Sequence, residues 1–285
     1  MSQAPDLARN FNVRTMTAAE VALALDWAAA EGWNPGRHDA QCFQAADPNG
    51  FFIGEWQGAP IACLSAVAYD DGLGFIGLYI VRPGFRAMGF GMRIWQHGMA
   101  YLGKRNVGLD GVVAQQANYR KSGFEPAWRN IRFQGLVAGA DGANVSEVSA
   151  LPFEQLVAYD SLHFSCERAR FLAQWISQPE SAALAVVSGG RIRGYGVVRR
   201  CQSGCKIGPL FADDALVADE LLRALCARFP GQTMTLDVPE TNPAALALAG
   251  RHGMARVFET ARMYTKEAPA LPLGQVFGVT SFELG

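Results

Sequence analysis

The sequence has almost no net charge and no long apolar run. Its 25 basic residues are balanced by 26 acidic ones over 285 residues, so there is no electrostatic reason to expect a nucleic acid or an anionic membrane as a partner. No segment approaches the roughly 20 apolar residues that cross a bilayer, and the N-terminus has no apolar stretch behind its charges. We therefore expect a cytoplasmic protein without a membrane or nucleic-acid partner.

Cysteines are also few. The six cysteines are scattered between positions 42 and 226, too sparsely for a disulfide-stapled scaffold. Cys201 and Cys205 form the one close pair in the sequence, and they have no neighbouring histidine or second cysteine pair to complete a tetrahedral zinc shell. We expect reduced, buried thiols and no metal.

The length and the hydrophobic content favour two domains. Half of the residues are hydrophobic, which is enough for two ordinary cores in a chain of this length. We predict an N-terminal domain over residues 1–136 and a C-terminal domain over residues 150–285. The linker is predicted at 137–149, where the residues are small and polar without a sustained period.

The first half gives alternating strand and helix signals. Thr17 and Glu20 form a capping box that predicts the start of a helix. Three apolar runs separated by tight-turn residues, at 51–56, 61–69 and 75–81, predict an antiparallel meander. The other predicted elements are a strand at 12–16, a helix at 39–45, a helix at 89–102, a strand at 108–113, a short helix at 118–121 and closing strands within 124–135.

The second half repeats this order. If Pro209 is laid over Pro83, then Leu236-Asp237 falls within one residue of Leu109-Asp110, and Arg262 matches Arg132. A hairpin at 184–198 repeats part of the meander, and the ending 273–285 is expected to add a strand or cover a seam between the domains. The sequence thus predicts an α+β protein with two similar domains, each a mixed, mostly antiparallel sheet flanked by helices. Chance similarity of two α+β domains is the alternative.

The stretch LYIVRPGFRAMGFGMRIW, residues 78–95, suits a pyrophosphate. A proline ends the strand, and Gly89 and Gly91 then open a helix. Glycines at a helix start let backbone N–H groups approach phosphate oxygens, and the helix dipole favours the negative charge. Arg86 would add a charge-assisted contact. Taken alone, the same pattern is also compatible with an ordinary glycine-rich turn.

The context of this stretch resembles the GNAT family of acyl-CoA N-acyltransferases. The resemblance covers residues 11–135 and rests on the RxxGxG pattern of residues 86–91 and on YRKSGF at 119–124. It implies that acetyl-CoA binds the first domain as acyl donor, with the pantetheine arm along the third meander strand and the pyrophosphate in the loop. The implied cofactor-binding residues are Tyr79, Ile80, Val81, Arg86, Ala87, Met88, Gly89, Phe90, Gly91, Met92, Gln115 and Tyr119.

The resemblance also implies catalytic residues. Tyr119 occupies the place of the family's tyrosine acid, and its reference pKa near 10 lies above the value of about 8.5 for the thiol that leaves, so a proton can pass in the transition state. A core tyrosine is the alternative. The base that accepts the proton of the amine is expected to be Asp110 or Glu31. Asp110 also has a structural interpretation, because the second half keeps an aspartate, Asp237, at the matching place.

Acceptor binding is expected in the loop EGWNPG, where the resemblance implies Glu31, Trp33 and Asn34 as the residues that contact the acceptor. A tight interhelical turn is the alternative for this loop. One departure from the family concerns Gln115, which stands where an asparagine is usual. The helix that leads to Tyr119 is also short, so the sulfur end of the cofactor is expected to sit differently.

The second half lacks the glycine pair and the arginine, and Asp213 and Asp214 would repel a pyrophosphate. Leu248 is aligned with Tyr119. We expect a domain that kept the fold, lost the cofactor and walls the acceptor pocket. Three residues of a probable helix, His163, Arg168 and Arg170, could reach a ligand, with a solvated helix face as the alternative.

The sequence therefore predicts an acetyl-CoA-dependent N-acetyltransferase that acts on a primary amine of a small molecule, as a monomer or homodimer. Direct transfer is expected because no cysteine can be placed beside the thioester. The alternatives are a non-catalytic sensor of CoA or acyl-CoA, and an N-acyltransferase for a longer acyl group or for a protein lysine.

Overall fold

Thirteen strands form one continuous sheet in the computed structural model, which describes residues 10–285. The first nine residues of the predicted N-terminal domain lie outside the described residues. The strands are β1 Phe11–Thr15, β2 Phe51–Trp56, β3 Ala59–Ala68, β4 Leu73–Val81, β5 Asn106–Val112, β6 Glu125–Leu136, β7 Val145–Glu147, β8 Ser181–Ser188, β9 Arg191–Arg200, β10 Cys205–Ala212, β11 Thr233–Pro239, β12 Ala255–Tyr264 and β13 Val276–Gly278.

Helices cover both faces of this sheet. One core joins the two halves of the chain, since it is built by the first two helices of each half against the sheet. Each half has its own core on the opposite face. The helices are α1 Ala18–Ala30, α2 Asp39–Ala46, α3 Phe90–Leu102, α4 Gln116–Lys121, α5 Phe153–Phe164, α6 Ala169–Trp175, α7 Ala215–Ala227 and α8 Pro243–Arg251. The fold is the mixed, mostly antiparallel α+β architecture that the sequence predicts.

The local signals of the first half are confirmed. Thr17 Oγ1 accepts a hydrogen bond from the amide of Glu20, and the Glu20 carboxylate accepts one from the amide of Thr17, which is the predicted capping box. The strands β2, β3 and β4 pair antiparallel in sequence order. The meander therefore forms from short-range turns, as its glycine and aspartate residues indicate.

The closing strands are exchanged between the two halves. The sheet runs β1-β2-β3-β4-β5-β12-β6-β11-β10-β9-β8-β7, with β13 beside β10. β12, from the second half, pairs with β5, and β6 pairs with β11 of the second half. The prediction that residues 124–135 supply the closing strands is therefore only partly right, because they form one strand, β6, and β12 lies between it and β5. Because the repeated halves have similar edges, the last strand of one half fits the central strand of the other.

Two buried ion pairs fix this exchange. The Arg262 guanidinium on β12 donates to both oxygens of Asp110 on β5, at 2.9 and 2.7 Å. The Arg132 guanidinium on β6 donates to both oxygens of Asp237 on β11, at 2.7 Å each. These bidentate pairs occupy matching positions of the repeat, so the predicted matching of the two arginines and the two aspartates is confirmed.

The structure corrects the detailed alignment of the repeat. The parallel pairing of β4 with β5 ends at Ile76 and Leu109, and that of β10 with β11 ends at Ile207 and Leu236. Pro209 therefore matches Leu78 instead of Pro83.

The alignment of Leu248 with Tyr119 is also wrong. The Phe124 amide donates to the Tyr119 carbonyl, and the Met254 amide donates to the Ala249 carbonyl in the same way. Ala249 therefore stands at the place of Tyr119. A one-residue shift separates the two alignments, and only the backbone hydrogen bonds distinguish them.

The segment predicted as a linker contains a strand. β7 pairs antiparallel with β8 and forms the edge of the sheet. The part before β7 lies against α7, where the Ala140 amide donates to the Arg223 carbonyl. The domain boundaries at 136 and 150 remain a prediction, since the exchanged strands join both halves in one sheet.

Candidate functional site

A cleft opens where β4 and β5 diverge. β4 pairs with β3 as far as Val81, but its pairing with β5 ends at Ile76. Leu78 has a φ of 46°, and the register between β3 and β4 shifts beside it, between Cys63 and Ser65. This bulge bends β4 away from β5. The last residues of β4 therefore have one side without a strand partner among the described strands.

The loop after β4 ends in free backbone donors. Among residues 10–285, no residue accepts a well-formed hydrogen bond from the amides of residues 87–92. Gly89, at φ 88°, is the N-cap of α3 and has no side chain that could cap the helix. A Cβ on Gly91 would lie 2.6 Å from Tyr79 Oη, so glycine lets the first turn of α3 approach β4. An exposed helix start of this kind can bind an anion.

Arg86 lies across the mouth of this loop. Its Nε donates to the carbonyl of Val81 at 2.8 Å, and its guanidinium forms an ion pair with Glu31. Both side chains are partly exposed. Glu31, which the sequence predicts at the acceptor pocket or as a base, therefore lies beside the glycine-containing loop of residues 86–91, and its carboxylate is bound by Arg86.

Replacing Glu31 with glutamine is expected to strengthen acyl-CoA binding by about two- to fivefold at low salt, because it removes a negative charge beside the loop that is predicted to bind the pyrophosphate. Isothermal titration at two salt concentrations would measure this effect, with Glu154→Gln as control because Glu154 is exposed on α5. A loss of affinity in Glu31→Gln would contradict the expectation and would mean that Glu31 positions Arg86.

Tyr119 lies on the short helix α4 at the side of the cleft. Its ring is packed 5.7 Å from the Trp95 ring, and a Cβ on Gly111 would lie 2.5 Å from its Cε2. Burial, together with the nearby Tyr79, raises the pKa of Tyr119 to about 12. Its hydroxyl has no hydrogen-bond partner among the described residues. A protonated phenol with a free O–H group can act as an acid.

Asp110 is held in the interior. Besides both bonds from Arg262, its carboxylate accepts the amide of Asn130 at 2.8 Å, and its side chain is fully buried. This geometry favours the structural role over that of a base. Gln115 is exposed at the N-cap of α4, where its amide oxygen accepts a hydrogen bond from Asn118.

The expected acceptor loop is bound to the second half. Asn34 exchanges two hydrogen bonds with the backbone of Ser203, at 2.8 and 3.0 Å. The carbonyl of Trp33 accepts from Lys206 at 2.9 Å and from Arg132 at 3.4 Å. The loop thus forms part of the seam between the halves, which leaves the side chain of Asn34 engaged with protein.

The matching cleft of the second half is filled. β13 lies beside β10 beyond Ile207, and the Val279 amide donates to the carbonyl of Asp237 on β11 at 2.9 Å. The start of α7 is capped by Asp214, whose carboxylate accepts the amides of Leu216 and Val217. The chain's own ending therefore occupies the position of the open cleft, as an added strand and a seam cover, which the sequence anticipated.

The three candidate ligand-binding residues of the second half are mainly internal. His163 is buried between the Tyr159 carbonyl and Gln275, and Arg168 is buried with both guanidinium bonds to Asp160. The interpretation of a solvated face is therefore wrong for these two, because they hold α5 against the core. Arg170 is exposed.

Other functional features are not found among the described residues. Within residues 10–285 no group of three or more histidine, cysteine, aspartate or glutamate side chains could hold a metal ion. No helix in that range has both the length and the apolar character needed to span a membrane. All six cysteines are buried as free thiols.

Two family models and two known proteins match this chain in sequence. The family described as "Acetyltransferase (GNAT) family" matches residues 18–124, and "Acetyltransferase (GNAT) domain" matches residues 156–278. Holothin acyltransferase of Pseudoalteromonas sp. (strain SANK 73390) is 31% identical over 268 residues, which cover 92% of this chain and 90% of that protein. The uncharacterized N-acetyltransferase YitH of Bacillus subtilis (strain 168) is 24% identical over 232 residues, 79% of this chain and 81% of that protein.

Solved structures share the fold. A putative acetyltransferase from Pyrococcus horikoshii superposes with a TM-score of 0.83 at 20% identity, over 97% of this chain and 96% of that one. A tandem GNAT protein from the clavulanic acid biosynthesis pathway superposes with a TM-score of 0.62 at 14% identity, over 91% of this chain and 100% of that one. At these identities the superpositions support the fold alone.

Proposed function

Since the chain belongs to the GNAT family of acyltransferases, as a member with two GNAT domains, we propose that its first domain transfers an acetyl group from acetyl-CoA directly to a primary amine of a small molecule. The observation that carries the proposal is the free helix start of residues 87–92 beside an open cleft. The relative that is named holothin acyltransferase supports acyl transfer as the activity.

The donor is proposed to lie along β4. Its pyrophosphate accepts the free amides of the loop and a contact from Arg86, and its pantetheine arm adds to the unpaired side of residues 79–81. No protein group competes for these amides among residues 10–285. The thioester then lies near the bulge at Leu78, where backbone N–H groups at the divergence of the strands can stabilise the oxyanion.

The transfer itself needs one acid. The amine nitrogen attacks the thioester carbon, the C–N bond forms, and the C–S bond breaks as the thiolate takes the proton of the Tyr119 hydroxyl. Because the pKa of Tyr119 is raised, by burial first, to about 12, the hydroxyl is present as the acid at neutral pH. The proton that the amine loses passes through water or a further residue, because Asp110 is bonded to Arg262. Its return to the Tyr119 phenolate restores the acid.

The second domain is proposed to have lost its cofactor. β13 fills its cleft, and Asp214 caps the helix that would hold the phosphates. We accordingly expect one acyl-CoA per chain.

Calorimetric titration with acetyl-CoA, CoA and longer acyl-CoAs tests the donor proposal. We expect a stoichiometry of one per chain, lost in Arg86→Glu and retained in Arg170→Glu, which changes an exposed arginine of the second half. CoA release followed with a thiol reagent across a panel of amines then separates an enzyme from a sensor. Binding without turnover for any amine would contradict the enzymatic proposal, and no binding of any acyl-CoA would contradict the donor site.

A further inference from the structure

The last residues of the chain run along the back of the proposed donor cleft. After β13, the tail of residues 279–285 passes Gly208 of the second half. A Cβ on Gly208 would lie 2.5 Å from the Thr280 carbonyl oxygen. It then reaches Gly77 of the first half, where a Cβ would overlap the carbonyl oxygen of Glu283. Gly77 directly follows Ile76, the last residue of β4 that pairs with β5. The tail therefore runs from the filled cleft of the second half to the open cleft of the first half.

The tail lies on the face of the sheet opposite Tyr119. Leu284 belongs to the core that also contains Leu78 and Ile80, and it packs with the α1 side of the first half. Tyr119 and Tyr79 pack with the core on the α3 side. A donor that is held from the α3 side and a molecule that contacts the tail would thus meet at the divergence of β4 and β5.

Glu283 is a buried carboxylate without a direct partner. The residue is 4% exposed, and among residues 10–285 its carboxylate receives no hydrogen bond and no arginine or lysine nitrogen comes within 4.0 Å. A charge on a residue this buried is costly unless water or a ligand reaches it, and the Glu283 oxygens are not among the fully buried polar atoms that lack a partner. The carboxylate can therefore be reached from the solvent and has acceptor capacity left for a bound molecule.

The positively charged side chains near Glu283 donate hydrogen bonds to other groups. Glu283 acts electrostatically on Arg132, Arg199 and Lys206. Arg132 is bonded to Asp237, Arg199 donates to Asp39, and Lys206 donates to the carbonyl of Trp33. These cations offset the cost of burying the charge without occupying the carboxylate oxygens. Glu283 thus remains able to accept N–H groups from a bound molecule.

Two aromatic rings, those of Phe258 and Phe282, lie near Glu283. Phe258 on β12 is 40% exposed although it is a large apolar residue, and its ring centroid lies 6.4 Å from that of Phe282. The Arg132 guanidinium carbon lies 4.5 Å from the Phe282 centroid, so one face of that ring is covered by a cation. The remaining aromatic surface suits a flat apolar group better than a linear alkyl chain.

We propose that this seam, formed by Phe258, Phe282 and Glu283, is the acceptor site, and that the acceptor is a primary amine on an aromatic or otherwise planar body. Its amine donates to the carboxylate of Glu283, whose backbone lies beside Gly77, and its flat body lies against the two rings. The inference rests on the proposed acyl transfer. It gives the second domain a function, because all three residues come from that half of the chain.

The test compares phenethylamine with hexylamine, which have similar amines but different bodies. We expect kcat/KM to favour phenethylamine by about tenfold or more in the unaltered protein, and this preference to fall below about threefold in Phe258→Ala and Phe282→Ala. Glu283→Gln, which keeps the shape of the side chain, should raise the KM for the amine by about 10- to 100-fold and change acetyl-CoA affinity by less than about twofold. The matched controls are Phe229→Ala, a half-buried phenylalanine packed against the separate core of the second half, and Glu154→Gln.

Binding is measured separately from turnover by saturation-transfer NMR of phenethylamine with the CoA-loaded protein. A signal lost in Glu283→Gln and Phe282→Ala supports the acceptor site even if no acetyl group is transferred, in which case the proposed enzymatic function alone would fail. Unchanged amine KM and unchanged binding in both variants would overturn the seam proposal. So would an unaltered protein that binds acetyl-CoA but neither binds nor acetylates phenethylamine.

Discussion

Replacement of Tyr119 with phenylalanine is expected to lower kcat by about 10²- to 10³-fold, since it removes the acid that protonates the leaving thiolate. The ring packing against Trp95 is kept, so the affinity for acetyl-CoA should change by less than about twofold. Steady-state kinetics with an accepted amine, together with calorimetric titration of acetyl-CoA, would measure both quantities.

The pH dependence adds a second test of Tyr119. Its pKa is raised to about 12, by burial first and then by Tyr79, so the protonated acid persists as the pH rises and is lost only near that value. Tyr119 should therefore cause no decline of kcat on the alkaline side of neutrality, up to about pH 10. Tyr79→Phe is the control, because the Tyr79 ring also packs against Trp95, with the ring centroids 5.4 Å apart. A larger loss of kcat in Tyr79→Phe than in Tyr119→Phe would assign the acid to Tyr79.

The parts of the site that follow from nearby residues could be predicted from the sequence. The meander depends on short turns, and the free helix start depends on Gly89 and Gly91 within one segment. Both are local properties, in which backbone conformation is set by residues close in the chain. The resemblance to the GNAT family supplied the order of these elements and the place of Tyr119.

The exchange of β6 and β12 could not be predicted in the same way. Both halves carry an aspartate on the central strand and an arginine on the closing strand, so Asp110 can pair with an arginine of either half. The sequence pattern is the same in both cases, and the choice depends on contacts between residues far apart in the chain. For the same reason the tail residue Glu283 has no signal that would place it at Gly77.

Removal of one partner of an exchanged ion pair is expected to destabilise the whole molecule. Asp110→Ala leaves the Arg262 guanidinium buried without its carboxylate, and the amide of Asn130 also loses its acceptor. Such a change costs about 3–5 kcal/mol in the free energy of unfolding. Because the exchanged strands join both halves in one sheet, urea unfolding should remain a single transition at a lower midpoint.

The control is Glu240→Ala, which breaks an exposed ion pair between Arg129 on β6 and Glu240, the residue after β11. This change should lower the free energy of unfolding by no more than about 1 kcal/mol. The double change Asp110→Leu with Arg262→Met should recover most of the stability, since it leaves no unpaired charge. These outcomes separate the structural role of Asp110 from that of a base. If Asp110→Ala kept its unfolding free energy but lost turnover, and turnover returned at high pH where the amine is already deprotonated, Asp110 would be the base and the ion pair would be secondary to it.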